Sequence, residues 1–388
     1  MNTTKTSFTS TDSFVHIGVD LAKNVFQVAY KDPTSSKFVN RQLKRKDFKE
    51  FLENANSFKK HIFVEACGSS YYWCRLAIAL GHKATIIPAT ATATFVQNNK
   101  SDVNDAKAIW QLSFVPDVKT VRIRSEANQI LGTLLKLREK LISERTKLCN
   151  WMRGQLYELG FITSLGDSSK ITKLLDDCSE QTKEKEWSDI FSTVSNVFKD
   201  SLKAIEKNIK TTEDYIISYA RKDNLCCRLM TIPYIGPVNS VAISYVMEDS
   251  SCFKNGRQFA SYAGLSPKHT GTGGEIRILG VGEQGHNILK RTIYQSALSM
   301  YCRYKERQQQ IQDSTCYKDL AEYKEKLSEK AENSSWIAQL SRRMPCKKAV
   351  CAIANKMVRT AWAVAASNGD YNYKLSTLVK NTEENLSN

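Results

Sequence analysis

The chain has 388 residues, 41% hydrophobic and 25% charged, proportions that suit a soluble protein with two or three cored domains. Lys and Arg outnumber Asp and Glu by 56 to 40, a formal +16, which points to a polyanionic partner because each neutralised phosphate releases condensed counterions. No apolar run reaches the roughly 20 residues of a spanning helix, the start MNTTKTSFTSTDSF lacks a signal-type apolar core, and eleven scattered cysteines without a C-x-x-C pair argue against zinc and a disulfide framework.

After a polar leader (1–13), FVHIGVD (14–20) reads as a strand ending in an acid. NVFQVAY (24–30) and SKFVNRQL (36–43) follow at the short spacing of a meander. RKDFKEFLENA (45–55) carries Phe48, Phe51 and Leu52 at a helical period. HIFVEA (61–66) is a strand, YYWCRLAIALG (71–81) a helix closed by Gly81, and KATIIP (83–88) a strand stopped by Pro88. The order β-β-β-α-β-α-β, then a helix, predicts an RNase H-like α/β domain over 14–118. A doubly wound sheet would need a helix after the first strand, and none fits.

Residues 119–224 read as a helical, coiled-coil-like arm. Ile130, Leu134, Leu137, Leu141, Leu148, Trp151 and Leu156 stand near a/d spacing. Val194, Val197, Phe198, Ile205, Ile209, Ile216 and Tyr219 repeat the style beyond a polar segment around 163–188. A mostly helical C-terminal domain follows over 225–372, with a charged insertion near 303–335 and a helix at 347–369 stopped by Asn-Gly. Residues 373–388 read as a mobile tail.

Within the C-terminal domain, LMTIPYIGPVNSVAI (229–243) has the form of a helix-hairpin-helix whose turn and second helix start, at Gly236, present N–H groups to phosphate. Tyr234 stands where a first glycine is common, and an ordinary αα-turn with Ile235 in a core is the alternative.

Four acids frame the chemistry. Asp20 ends the first strand and Glu65 the fourth, and in this topology those strands are neighbours. In KSDVNDAKAIWQL, Asp102 and Asp105 sit at i and i+3, on one side of a helix start. Converging carboxylates repel one another unless cations neutralise them, and hard oxygen ligands favour Mg²⁺ or Mn²⁺. Two such ions suit phosphodiester chemistry. Taken alone, the last pair also reads as a helix cap with a first-turn acid. Lys23, Lys100 and Lys107 are placed for phosphate contact, with solvated lysines as the plainer reading.

GVDLAKNVFQV, FVEACGSS and NKSDVNDAKAI resemble the N-terminal domain of DEDD-type insertion-sequence transposases, whose relatives include the Piv pilin-gene invertase. FKNGRQFASYAGLSPKHTGTGG and KKAVCAIANKMVRTAWAV resemble the C-terminal domain of the same family. The resemblance spans about residues 14 to 372. It implies a RuvC-like fold, a divalent-metal site at Asp20, Glu65, Asp102 and Asp105, and a nucleophilic serine in the second domain. It further implies DNA as substrate, a structured noncoding guide RNA, assembly as a dimer or tetramer, and a bacterial cytoplasmic, nucleoid-associated setting. Thr272 occupies the serine's slot before Gly273-Gly274, and Glu283-Gln284 replaces a basic pair before Gly285. Ser266 and Thr270 are nearby hydroxyls read as turn residues, and Lys290 and Arg291 complete the expected nucleic-acid contacts. Alternatives left open are a junction nuclease that uses metal-activated water without a covalent intermediate, and a catalytically inactive binding relative.

Overall fold

A computed structural model describes residues 14–54, 58–95, 101–164, 168–272, 274–282, 285–313 and 334–372. The chain forms two compact units that divide between Gln129 and Ile130.

In the first unit the expected strands appear as β1 (Phe14–Leu21), β2 (Val25–Lys31), β3 (Phe38–Lys44), β4 (Lys59–Glu65) and β5 (Lys83–Ile87). They form one sheet in the order β3-β2-β1-β4-β5. β1–β2 and β2–β3 pair antiparallel, while β1–β4 and β4–β5 pair parallel, as an RNase H-like domain requires. The helices are α1 (Arg45–Glu53), α2 (Ser70–Ala79), α3 (Ala89–Phe95) and α4 (Asp102–Leu112). Strand alternation gives the sheet two unlike faces. On one, Ile17, Val19, Phe26, Val28, Ile62, Val64 and Ile86 pack with Phe48 and Leu52 of α1 and Trp73, Cys74 and Ala77 of α2. On the other, Phe63 and Ile87 pack with Ile109 and Leu112 of α4.

Gly18 lies on the α4 side and decides how closely that helix can approach. A Cβ there would come within 2.4 Å of both Ala106 O and Trp110 N, so backbone rests directly on backbone. Further along, His16 Nδ1 is 3.1 Å from Ser113 Oγ, and its ring stacks on Phe114. Residues 113–114, just past the helix, thus lie over residue 16, and 106–110 over residue 18. The helix therefore runs against the direction of β1.

Lys60 on β4 is wholly buried, its ammonium 4.9 Å from the Phe51 ring and 5.3 Å from the Phe58 ring. Burial, and after it the charge of Lys59, holds it below the usual lysine range. A depressed folded pKa means that the unfolded chain binds the proton more readily. The associated stability is present above the ordinary value of 10.5 and is lost as pH falls through the folded value. Lys60→Met should therefore unfold at a higher urea concentration at pH 7, by about 1 kcal/mol. The gain should shrink as pH rises toward 10.5, which urea titrations at both pH values will check.

In the second unit α5 (Glu126–Glu158), which starts just before the division, pairs with α7 (Ser188–Lys222). The segment expected to be a polar linker instead contains α6 (Ser168–Gln181), whose Ile171, Leu175 and Cys178 pack on Cys149, Met152, Leu156, Phe198 and Leu202. At the other end, Leu131, Leu135, Ile216 and Ala220 join the C-terminal core, and Arg138 donates to Glu213 between the two clusters. This changes the expected stripe. Leu156, Phe198, Ile209 and Ile216 are buried, but Ile130, Leu137, Trp151, Val194 and Val197 are exposed. A straight 3.6-residue helix drifts off a 3.5-residue stripe, and α6 draws the far end to its own side.

The C-terminal core is built by α8 (Asn224–Leu229), α9 (Pro237–Met247), a 3₁₀ turn (Ser250–Cys252), α10 (Gly256–Tyr262), α11 (Asn287–Asp313), α12 (Ser334–Arg343) and α13 (Cys346–Ser367). Within the expected insertion, 303–313 continues α11, and 314–333 lies outside the described residues. Asn368 takes the left-handed conformation that ends α13, at φ 54°. A two-stranded hairpin of β6 (Pro267–Thr272) and β7 (Glu275–Val281) interrupts the helices. Its alternation and Gly-Gly turn were present in KHTGTGGEIRIL, but the mostly helical reading passed over them. The described cysteines are free thiols. Burial pushes Cys74 and Cys226 up to about 12, so both are inert. Among the described residues no helix is long and apolar enough to cross a membrane.

Candidate active site

The pairing register of β1 with β4 runs to Val19–Val64, and one step further sets Asp20 beside Glu65. Both follow residues of the α4 face, Gly18 and Phe63, by two positions and so point to that same face. Because α4 runs against β1, its first turn, which carries Asp102 and Asp105, is directed toward this end of the sheet. Ser101 caps the helix, accepting from the Asn104 N–H, and Asn40 Nδ2 donates to Val103 O at 3.0 Å, tying the first turn to β3. Asp105 has a carboxylate oxygen, Oδ1, shut off from solvent, whereas Asp102 is exposed. Glu65 Oε2 accepts a 2.6 Å hydrogen bond from the hydroxyl of Thr92, which is 3% exposed.

Thr92 orients one of the acids and was missed in the sequence. Its setting, ATATATF after Pro88, reads only as small and β-branched residues.

Asp20 and Glu65 thus share one end of one sheet face, and Asp102 and Asp105 are carried by the helix packed on that face. They are not drawn into a tight cage: among the described residues, no group of three or more His, Cys, Asp or Glu is placed to hold a metal ion. The donor chemistry, four carboxylates with one oxygen already removed from water, fits a hard divalent cation. Lys23 and Lys107 are exposed, and Lys100 lies outside the described residues.

In the second unit, Thr272 ends β6 and is exposed. Its partner across the hairpin is Glu275, and Thr270 faces Arg277. Directly opposed residues of an antiparallel pair share a face. These four side chains, with Gly271, line an open cavity of about 300 Å³. Gly274 has φ +87°, a turn conformation that suits glycine, and Gly273 lies outside the described residues, as do Glu283 and Gln284. Lys290 Nζ donates to Gly282 O at 2.8 Å, and Arg291 is 3.9 Å from Glu139, so both expected phosphate contacts have partners within the chain. Gly236 caps α9, with Pro237 at its first position, and Tyr234 adopts φ 64° where the motif commonly has glycine. Ile235 is 4% exposed, in the core.

Two family models match parts of this chain. A DEDD transposase model of the IS110 type matches residues 17–160, and one described as "Transposase IS116/IS110/IS902 family" matches residues 226–312. The chain is 29% identical to a "Probable family 20 transposase" of Pseudomonas aeruginosa, over 92% of this chain and 98% of that one. It is 26% identical to the transposase for insertion sequence element IS1111A of Coxiella burnetii, over 92% and 90% of the two chains. It is also 24% identical to the pilin gene-inverting protein of Moraxella bovis, over 74% and 83%.

Proposed function

Because this chain belongs to the family of DEDD-type insertion-sequence transposases, we propose that it cuts and rejoins DNA strands with two groups of residues, one in each unit. Asp20, Glu65, Asp102 and Asp105 would hold divalent metal, Mg²⁺ or Mn²⁺, which supplies Lewis-acid stabilisation of charge on phosphate oxygens. The observations that support this most are the β1–β4 register, which sets Asp20 beside Glu65, and the packing of α4, which carries Asp102 and Asp105, on the same sheet face through Gly18.

Thr272 supplies the attacking hydroxyl. Its Oγ bonds to phosphorus, one phosphorus–oxygen bond of the strand breaks, and the released oxygen takes up a proton. Thr272's own proton passes to Glu275, its partner across the hairpin. Arg277 on the same face is placed for the phosphate charge. Guidance by a structured noncoding RNA and assembly as a dimer or tetramer belong to the same reading and rest on family membership. The +16 charge suits either nucleic acid.

Full-length protein incubated with element-end DNA, guide RNA and Mg²⁺ should give a denaturation-stable protein–DNA adduct. Thr272→Ala should abolish the adduct, and Thr272→Ser should form it faster, because losing the β-branch frees χ1. Glu275→Gln should slow its formation about a hundredfold. An adduct that persists in Thr272→Ala assigns the attack to another hydroxyl. Metal-dependent cutting with no adduct makes the protein a hydrolytic nuclease.

A further inference from the structure

A cleft in the second unit lies away from the Thr272 cavity in its lining residues. It has a volume of about 570 Å³, and α13, residues 255–257 and residues 370–372 form its walls. That size suits a small ligand, and its chemistry is specific. Arg257, Lys356 and Arg359 bring three cations against the single acid Asp370, and Trp362 and Tyr371 supply aromatic surface.

The walls are fixed. Trp362 Nε1 donates to Ser250 O at 3.1 Å, and the Tyr371 N–H donates to Thr231 Oγ1 at 2.8 Å. Arg228 donates to Asn368 at 2.6 Å, pinning the segment that leads to Tyr371. Gly256 lets the 255–257 turn close on α13, since a Cβ there would come within 2.9 Å of Arg359 O. That contact sets Arg257 beside Arg359. Lys356 is half-buried with its ammonium 4.1 Å from the Trp336 ring. Burial, and after it the Arg359 guanidinium, pulls it down to about 8. Such a group gains from an anion that neutralises its neighbour.

We propose that this cleft binds one nucleotide of a nucleic-acid strand, its phosphate between Arg257, Lys356 and Arg359 and its base against Trp362 and Tyr371. Cations that track phosphate, combined with aromatic surface that takes a base of any sequence, make up the chemistry of single-strand binding. The proposal rests on the reading of the chain as one that acts on nucleic acid.

The test titrates fluorescent ten-residue oligothymidylate, and separately thymidine 5′-monophosphate, into the full-length protein at several salt concentrations. Arg257→Gln and Arg359→Gln should each weaken strand binding about tenfold and reduce the salt slope by about 0.7. Tyr371→Ala should weaken it at least about fivefold with the slope unchanged, because stacking carries no charge. Arg257 is exposed, so its variant reports even where Tyr371→Ala melts early. The same losses seen with the monophosphate identify a free nucleotide as able to fill the cleft, and losses confined to the oligomer identify the strand. Equal affinity and slope in parent and variants, or no binding by the parent, overturns the proposal. Duplex cleavage by the same preparations reports separately on the proposed function.

Discussion

Replacing Asp20 with asparagine is expected to lower metal-dependent strand cleavage by about a thousandfold while leaving DNA binding within about twofold. A bound divalent ion supplies several kcal/mol of transition-state stabilisation, and each 1.36 kcal/mol is a decade in rate. Binding rests instead on the chain's excess of cations. Asp20 is the telling position because the strand register sets it beside Glu65 in the sheet. Asp102→Ala, at an exposed site on the first turn of α4, should act in the same direction with no loss of stability. Cleavage gels over a Mg²⁺ series with both variants will decide it. Rates equal to the parent's would take the sheet-end acids out of the chemistry.

Gly18→Val should be nearly as damaging without touching an acid. Even a single Cβ at this position would sit 2.4 Å from two backbone atoms of α4. Backbone cannot swing aside as a side chain can, so the helix has to lift and the packing of Ile109 and Leu112 on Phe63 and Ile87 opens with it. Overpacking of this kind costs about 3 kcal/mol. The variant should unfold at a lower denaturant concentration and, where still folded, cleave poorly, because Asp102 and Asp105 ride on the displaced helix. Normal stability together with normal cleavage would show that the helix tolerates the shift and that its contact with β1 does not position the acids.

The N-terminal sheet was legible because its strands alternate or run apolar at short spacing, with Gly81 closing a helix and Pro88 stopping a strand. The positions of Asp20 and Glu65 followed from topology alone, since β1 and β4 are neighbours in that strand order. Where α4 would lie was not legible, because it depends on the missing side chain of Gly18, and a glycine inside a strand reads only as a weakness. The role of Thr92 was equally hidden: its partner Glu65 is 27 residues earlier in the chain. In the arm, a heptad reading picked out the long helices and part of their inner face, with Leu156, Phe198, Ile209 and Ile216 buried. Leu131, Leu135 and Met152 are buried where Ile130, Leu137 and Trp151 were expected. The third helix that turns the stripe, α6, is made of a segment too polar to announce itself. The β6–β7 hairpin was overlooked for the opposite reason, as a short alternating stretch between strongly helical neighbours.

The exposure of every residue in β6 has a consequence for Thr272. A side chain that touches no core can be exchanged with little thermodynamic toll, so under the proposed function a change between threonine and serine at 272 leaves the architecture intact and registers only in the rate of attack.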